Sequence, residues 1–338
     1  MPPAEAADNR MFFRRSLTIV RRIRQSARRA LCPLLALLWL SPVWAQGTLH
    51  AADDGRSHVV FLAGSENISF NLVFRKRLEE ALPEGIRIAR YATDAAKKSP
   101  DSLILTLGAS RLNDVVQQNP DSPVLALMVT EDQFSQYQEL DNPSVTAVYL
   151  NPPLKRQALL GRQILPQATR VALLARAGKE QQYSELADSL AEYGLELRVF
   201  TVEDRQSLVS TLSRALNYGD FLLGTPDPEI YNRQTIKHIL LTAYRHNRIL
   251  IGPERAFVQA GALASTYTST NTIVSDAAKT ISDYVRSGQL PRPHYPTRFS
   301  VLFNEQVARS LNIPLPDRES VLQALQRLES SSTGVGNE

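Results

Sequence analysis

The sequence predicts an α/β fold of two similar lobes, each a parallel sheet flanked by helices, facing one another as a clamshell. Three observations carry this. From His58 onward, short apolar runs alternate with segments whose apolar residues recur at helical spacing, the pattern of βαβ units and hence of parallel sheets. The series pauses at Leu150, passes Pro152 and Pro153, and resumes at Arg170, so it reads as two runs of similar make-up. Residues 46–338 also exceed what one hydrophobic core usually serves.

The first strand is HVVFLA, residues 58–63, ended by Gly64. Residues 65–82, SENISFNLVFRKRLEEAL, open on Ser and Asn as helix caps and put Phe70, Val73, Phe74, Leu78 and Ala81 at helical spacing. IRIARY (86–91), SLILTLG (102–108) and PVLALMV (123–129) are short apolar strands, with the helix ASRLNDVVQQ (109–118) between the last two; VTAVYL (145–150) closes the first run. In the second run the strands RVALLA (170–175), LELRVF (195–200), DFLLG (220–224) and RILIG (248–252) are spaced by the helices YSELADSLAEYG (183–194), RQSLVSTLSRALNYG (205–219) and IYNRQTIKHILLTAYRHN (230–247). The expected domains are a leader over 1–45, a first lobe over 46–150 completed by about 266–295, a second over 151–265 completed by about 296–325, and a disordered Ser/Gly-rich tail over 326–338. The cleft of such a pair lies at the carboxyl ends of its strands.

The leader has the layout of a secretory signal: a long basic segment, an apolar run from Ala30 to Leu40, and small residues at Val43 and Ala45. The run is about half the roughly 20 residues a spanning helix needs, so cleavage after Ala45 and a periplasmic location are expected. Eight of the 38 Lys and Arg and two of the 34 acids lie before residue 46, leaving 30 against 32. The net charge of +4 thus becomes −2, and no basic cluster remains to track phosphates, which argues against nucleic acid. Both Trp and the one Cys, Cys32, also lie in the leader. The exported chain is expected to fold as a monomer without disulfide, metal or cofactor.

ERAFVQAGALAST (254–266), NTIVSDAAKTISDYVRSGQLPRP (271–293) and TRFSVLFNEQVARSLNIPLPD (297–317) together resemble the periplasmic substrate-binding proteins of the ABC-type family often labelled an uncharacterised transport component. In that family a GALAS segment precedes a helix ending in a Gly-containing turn. A strand and an Asn-initiated helix closing on LGL-x-IP follow, matched here by Asn304 to Pro314. The resemblance covers most of residues 58–320 and implies a type I-like periplasmic-binding-protein clamshell. Family members with assigned ligands include binders of aromatic amino acids. After GALAS the family's usual Asp/Tyr and Gly are replaced by TYTSTNT (266–272). In such a fold Gly261 to Thr266 is expected as a crossing strand beside the cleft, its small side chains letting backbone and ligand approach closely.

Candidate ligand-binding residues fall at strand ends. Ser65, Glu66 and Asn67 start the first helix with outward amides, and Gly108, Ala109 and Ser110 form a second such corner. Thr130 follows the fourth strand, with Glu131 a solvated cap; Tyr183 follows a second-lobe strand. Thr225 and Asp227 sit in a turn stiffened by two prolines, where a carboxylate suits a ligand ammonium. Ser265 and Tyr267 stand at the expected cleft edge. His238 and His246, eight residues apart on one helix, diverge by about 80° and make a poor metal pair. No G-x-S-x-G, G-x-x-x-x-G-K or H-E-x-x-H motif occurs, so a non-enzyme is expected. The first expectation is a receptor that captures a small molecule, such as an amino acid or another amine-bearing metabolite, and presents its closed form to the permease of an ABC importer. The alternative is a sensor or accessory protein serving a receptor kinase or an outer-membrane uptake system.

Overall fold

A computed structural model describes residues 58–140 and 142–333; the predicted leader and its cleavage site lie outside them. The first sheet is built from β1 (His58–Ala63), β2 (Ile86–Arg90), β3 (Ile104–Leu107), β4 (Val124–Val129) and β5 (Val145–Tyr149), in the order β2-β1-β3-β4-β5 and parallel throughout. Helices α1 (Ile68–Ala81), α2 (Thr93–Lys97), α3 (Ala109–Gln118) and α4 (Glu131–Glu139) connect these strands. The chain then forms α5 (Leu154–Ile164), β6 (Arg170–Arg176), a 3-10 turn (Glu180–Tyr183), α6 (Ser184–Ala191), β7 (Glu196–Val202), α7 (Leu208–Tyr218), β8 (Phe221–Leu223), α8 (Ile236–Arg245), β9 (Ile249–Ile251), α9 (Arg255–Ala260) and β10 (Ala264–Tyr267). It ends with α10 (Thr270–Ser287), β11 (Ser300–Phe303), α11 (Glu305–Ser310) and α12 (Arg318–Thr333). The second sheet has the order β11-β10-β9-β8-β6-β7, with β11 antiparallel to β10.

Strands β3 and β5 are buried along their whole length, which is why they read as unbroken apolar runs. On one face of the first sheet Phe74 and Leu78 of α1 pack with Ile273, Ala277 and Ile281 of α10; on the other, Leu112 and Val115 of α3 pack with Phe134 of α4. α10 thus supplies core to the first sheet although it follows β10 of the second. The second sheet is covered by α5, α6 and α12 on one face and by α7 and α8 on the other. The chain passes between the two sheets after β5, after β10 and again after α10. The first and third passages are tied together, because Tyr149 donates its backbone N–H to His294 O at 3.0 Å and His294 donates to Ala147 O at 3.0 Å.

Three expectations need correction. The segment expected to cross beside the cleft is an interior strand: β10 lies between β9 and β11, and Ala262, Leu263, Ala264, Ser265 and Thr266 are fully buried. Its small residues have a packing cause. Gln157 of α5 descends onto β10, accepts from Thr266 N at 2.8 Å and Thr266 Oγ1 at 3.2 Å, and donates to Ser265 Oγ at 3.0 Å and Thr266 O at 3.2 Å. The stretch expected as a Pro-Pro turn leads into α5, whose residues 156–161 are all buried; because the polar Arg156 and Gln157 are among them, its buried face does not read as an apolar stripe. Gly161 permits that burial, since a Cβ there would meet the Phe221 ring at 2.6 Å. Glu131, expected as a solvated cap, is exposed and is the first residue of α4, directly after its N-cap Thr130. Of the expected disordered tail, residues 326–333 belong to helix α12, and Leu328 packs against the second core beside the buried Val321 and Leu325.

Candidate functional site

The carboxyl ends of β6 and β8, paired in register, bring together three predicted residues of the second lobe. Thr225 is 1% exposed, Tyr183 is buried and Asp227 is held in the following turn. Sequence reasoning missed Arg176, the last residue of β6 and the ion-pair partner of Asp227. Its Nε donates to Asp227 Oδ2 at 2.6 Å, while Asp227 Oδ1 accepts the Glu229 amide at 2.9 Å. The hydrogen bond to Asp227 pushes the guanidinium pKa further up, with Asp132 and Glu229 adding to it. Burial raises the Tyr183 phenol, and burial raises that of Tyr231 more strongly. Among the described residues the buried hydroxyls of Thr225 and Tyr231 have no hydrogen-bond partner of good geometry, although Thr225 lies close enough to the Tyr183 phenol to lower its pKa. The only signal for Arg176 in the sequence was its place at a strand end, in the same class of corner as Gly64 and Gly108.

Facing residues come from the start of α4. Thr130 caps this helix reciprocally: its hydroxyl accepts from Gln133 N at 3.2 Å and its own amide donates to Gln133 Oε1 at 3.0 Å. Glu131 accepts from Tyr295 Oη at 2.6 Å, and Tyr295 stacks edge-on against Tyr149 at 4.9 Å between centroids. Among the described residues the buried Tyr149 hydroxyl has no hydrogen-bond partner, and both phenols are pushed well up by burial, with Glu131 adding to it. Asp132 approaches Lys179, which follows β6, at 3.7 Å. Charges of both signs thus meet where the carboxyl ends of β4 and β6 face each other.

Ser65 and Glu66 line a cavity of about 860 Å³ at the carboxyl ends of β1 and β2, together with Arg90, Tyr91 and Arg111. The Ser65 amide is taken by Asn71 Oδ1 at 3.0 Å, and the Asn67 side chain caps α1 through Phe70 N at 3.0 Å, so this corner satisfies itself. Gly108, at φ +95°, turns the chain into α3 with no side-chain cap, leaving the amides around Ala109 and Ser110 uncapped. Arg111 joins the two corners by donating to Gly64 O at 2.9 Å. Ser265 is fully buried, its hydroxyl accepting from Gln157 and donating to Thr266 O at 2.7 Å. Tyr267 is half-buried at the end of β10, its ring under the Arg255 guanidinium at 5.4 Å. Neither this 860 Å³ cavity nor a second of about 270 Å³ at the opposite ends of the strands is lined by Tyr183, Thr225 or Asp227.

Comparison with solved structures places this architecture. A substrate-binding protein with adhesive properties from Clostridium difficile, in its ligand-free open form, matches with a TM-score of 0.63 at 14% identity, over 78% of this chain and 97% of that one. A conserved domain protein from Vibrio cholerae matches with a TM-score of 0.54 at 16% identity, over 79% and 98%. An ABC domain from Streptococcus pneumonia in complex with L-Trp matches with a TM-score of 0.53 at 17% identity, over 78% and 98%. No protein-family model and no curated protein sequence matches. Among the described residues no helix is long and apolar enough to cross a membrane. With two parallel-sheet lobes flanked by helices and these neighbours, the chain has the fold of the type I periplasmic binding proteins.

Proposed function

We propose that the chain is a periplasmic solute-binding protein, exported by its leader, that closes its lobes on a small zwitterionic molecule such as an amino acid for an ABC importer. The observation that carries this reading is the meeting of Arg176, Tyr183, Thr225 and Asp227 with Asp132 at the start of α4, where buried hydroxyls and charges of both signs share one place. Such a place suits a solute with separated charges better than a neutral one. The neighbour solved with L-Trp supports an amino acid as the class to test first. Ligand contacts from both lobes would favour a closed state by differential affinity. The corners at Ser65–Asn67 and Gly108–Ser110 are proposed as the first-lobe wall, with Tyr267 at the rim and Ser265 behind it.

A thermal-shift screen of amino acids, sugars, nucleosides and vitamins tests this. A solute at 100 times its dissociation constant adds about 2.7 kcal/mol, or roughly 5–10 °C at about 2–4 °C per kcal/mol. A screen with no shift above 1 °C removes the solute-binding reading.

A further inference from the structure

The turn after β8 was expected to offer a free carboxylate to a ligand ammonium. The geometry points to the opposite polarity: we propose that Arg176 receives the solute's carboxylate and that Asp227 is the residue that positions it. This rests on the solute-binding reading above and names the group such a solute must carry.

Both oxygens of Asp227 are already engaged, one by Arg176 and one by the Glu229 amide, and its side chain is 9% exposed. An ammonium would reach it only by displacing a guanidinium. Arg176, by contrast, is 41% exposed, and its terminal nitrogens have no hydrogen-bond partner among the described residues. Holding Nε against a nearly buried carboxylate fixes the plane of the guanidinium. A fixed guanidinium with free terminal N–H groups matches the two oxygens of a carboxylate. Next to Asp227, the Tyr231 hydroxyl is buried and has no hydrogen-bond partner among the described residues, and burial keeps that phenol protonated and able to donate. A buried hydroxyl without a partner is costly, and an arriving oxyanion is a partner of the right kind. The acids nearby, Asp132 and Glu229, both act on Arg176, and Asp132 is shared with Lys179, so the ammonium of a zwitterion would be met on that side.

The test is calorimetry on the wild type, Arg176→Gln, Arg176→Lys, Asp227→Asn and the Arg176→Gln/Asp227→Asn double variant. The probes are the twenty L-amino acids, starting from L-tryptophan, together with the amide and the decarboxylated amine of the tightest binder. Binding is expected to be lost with the amide and the amine, and to weaken roughly 10- to 150-fold in Arg176→Gln, the range for a hydrogen bond to a charged group. Arg176→Lys should retain part of it. Asp227→Asn should weaken binding less than Arg176→Gln, and the double variant, which leaves no unpaired buried charge, should match Arg176→Gln. If Arg176→Gln binds unchanged or tighter while Asp227→Asn abolishes binding, Asp227 is the counter-ion and the proposal falls. If a neutral sugar proves the best ligand and Arg176→Gln binds it equally, solute binding stands and the proposal alone falls. If no compound of the wider screen binds, both fall.

Discussion

Gln157→Leu is expected to unfold the protein several degrees early without touching its surface. Gln157 and Thr266 are fully buried, and the Gln157 carboxamide oxygen is the acceptor for both the Thr266 amide and the Thr266 hydroxyl. Leucine keeps the volume but strands both donors. Each buried group left unsatisfied costs about 1–3 kcal/mol; the gain from burying a more apolar side chain offsets about 1 kcal/mol. The net loss is about 3 kcal/mol, or roughly 6–12 °C at about 2–4 °C per kcal/mol. Ser265→Ala serves as an internal gauge, because Gln157 Nε2 retains Thr266 O as acceptor, and its cost should stay near 1 kcal/mol. Scanning fluorimetry and urea midpoints on the three proteins settle the matter. A Gln157→Leu midpoint within 1 °C of wild type, or a larger loss in Ser265→Ala, would refute the claim that the carboxamide holds β10. A Ser265→Ala variant of normal stability that binds its solute more weakly would instead return Ser265 to the ligand site.

Three further outcomes are expected. Gly161→Ala forces a Cβ against the Phe221 ring and should cost about 1–3 kcal/mol by overpacking; a neutral melting curve would mean that the ring moves freely. Glu329→Ala leaves the nearly buried Arg156, bound at 2.5 Å through Nε, without its carboxylate and should cost about 3 kcal/mol, read as an early loss of helical circular dichroism. Burial raises the Asp276 carboxyl, with Arg298, His294 and Lys279 partly opposing it. The folded state therefore holds that proton more firmly than the unfolded chain does, and stability falls as pH rises from the unfolded value, about 3.9, through the raised one. Asp276→Asn should raise the melting temperature at pH 7 and leave it unchanged near about pH 3.5; a rise equal at both values would contradict the ionisation argument.

The βα alternation was legible because a strand buried on both faces is a short apolar run, and helices such as α3 and α7 carry one apolar stripe. α5 was not legible for the complementary reason: Arg156 and Gln157 are buried polar side chains whose partners, Glu329, Ser265 and Thr266, are over 100 residues away. α4 was hidden because its nine residues, EDQFSQYQE, bury little beyond Phe134 and Tyr137. The strand-end rule located Thr225 and Asp227 correctly in the fold, yet it could not tell that Asp227 is already paired. That depends on β6 and β8 being neighbours, a tertiary fact absent from the Thr-Pro-Asp-Pro stretch. The same limit applies to Ser265, whose polar side chain reads equally well as a ligand group or as one half of a buried hydrogen bond.

The dependence of the first core on α10 has a consequence for synthesis. β1 to β5 are complete once the ribosome has passed Tyr149, but the face that takes Ile273, Ala277 and Ile281 stays uncovered until Ser287 has emerged. At roughly 5–20 residues per second, that leaves Phe74 and Leu78 waiting on the order of ten seconds for their partners. Throughout that interval the nascent amino-terminal half carries a sticky apolar surface, while the second half is still being made. A chain built this way gains from a holding chaperone during its birth, and a release of residues 58–150 alone would yield an aggregating fragment rather than a free-standing half.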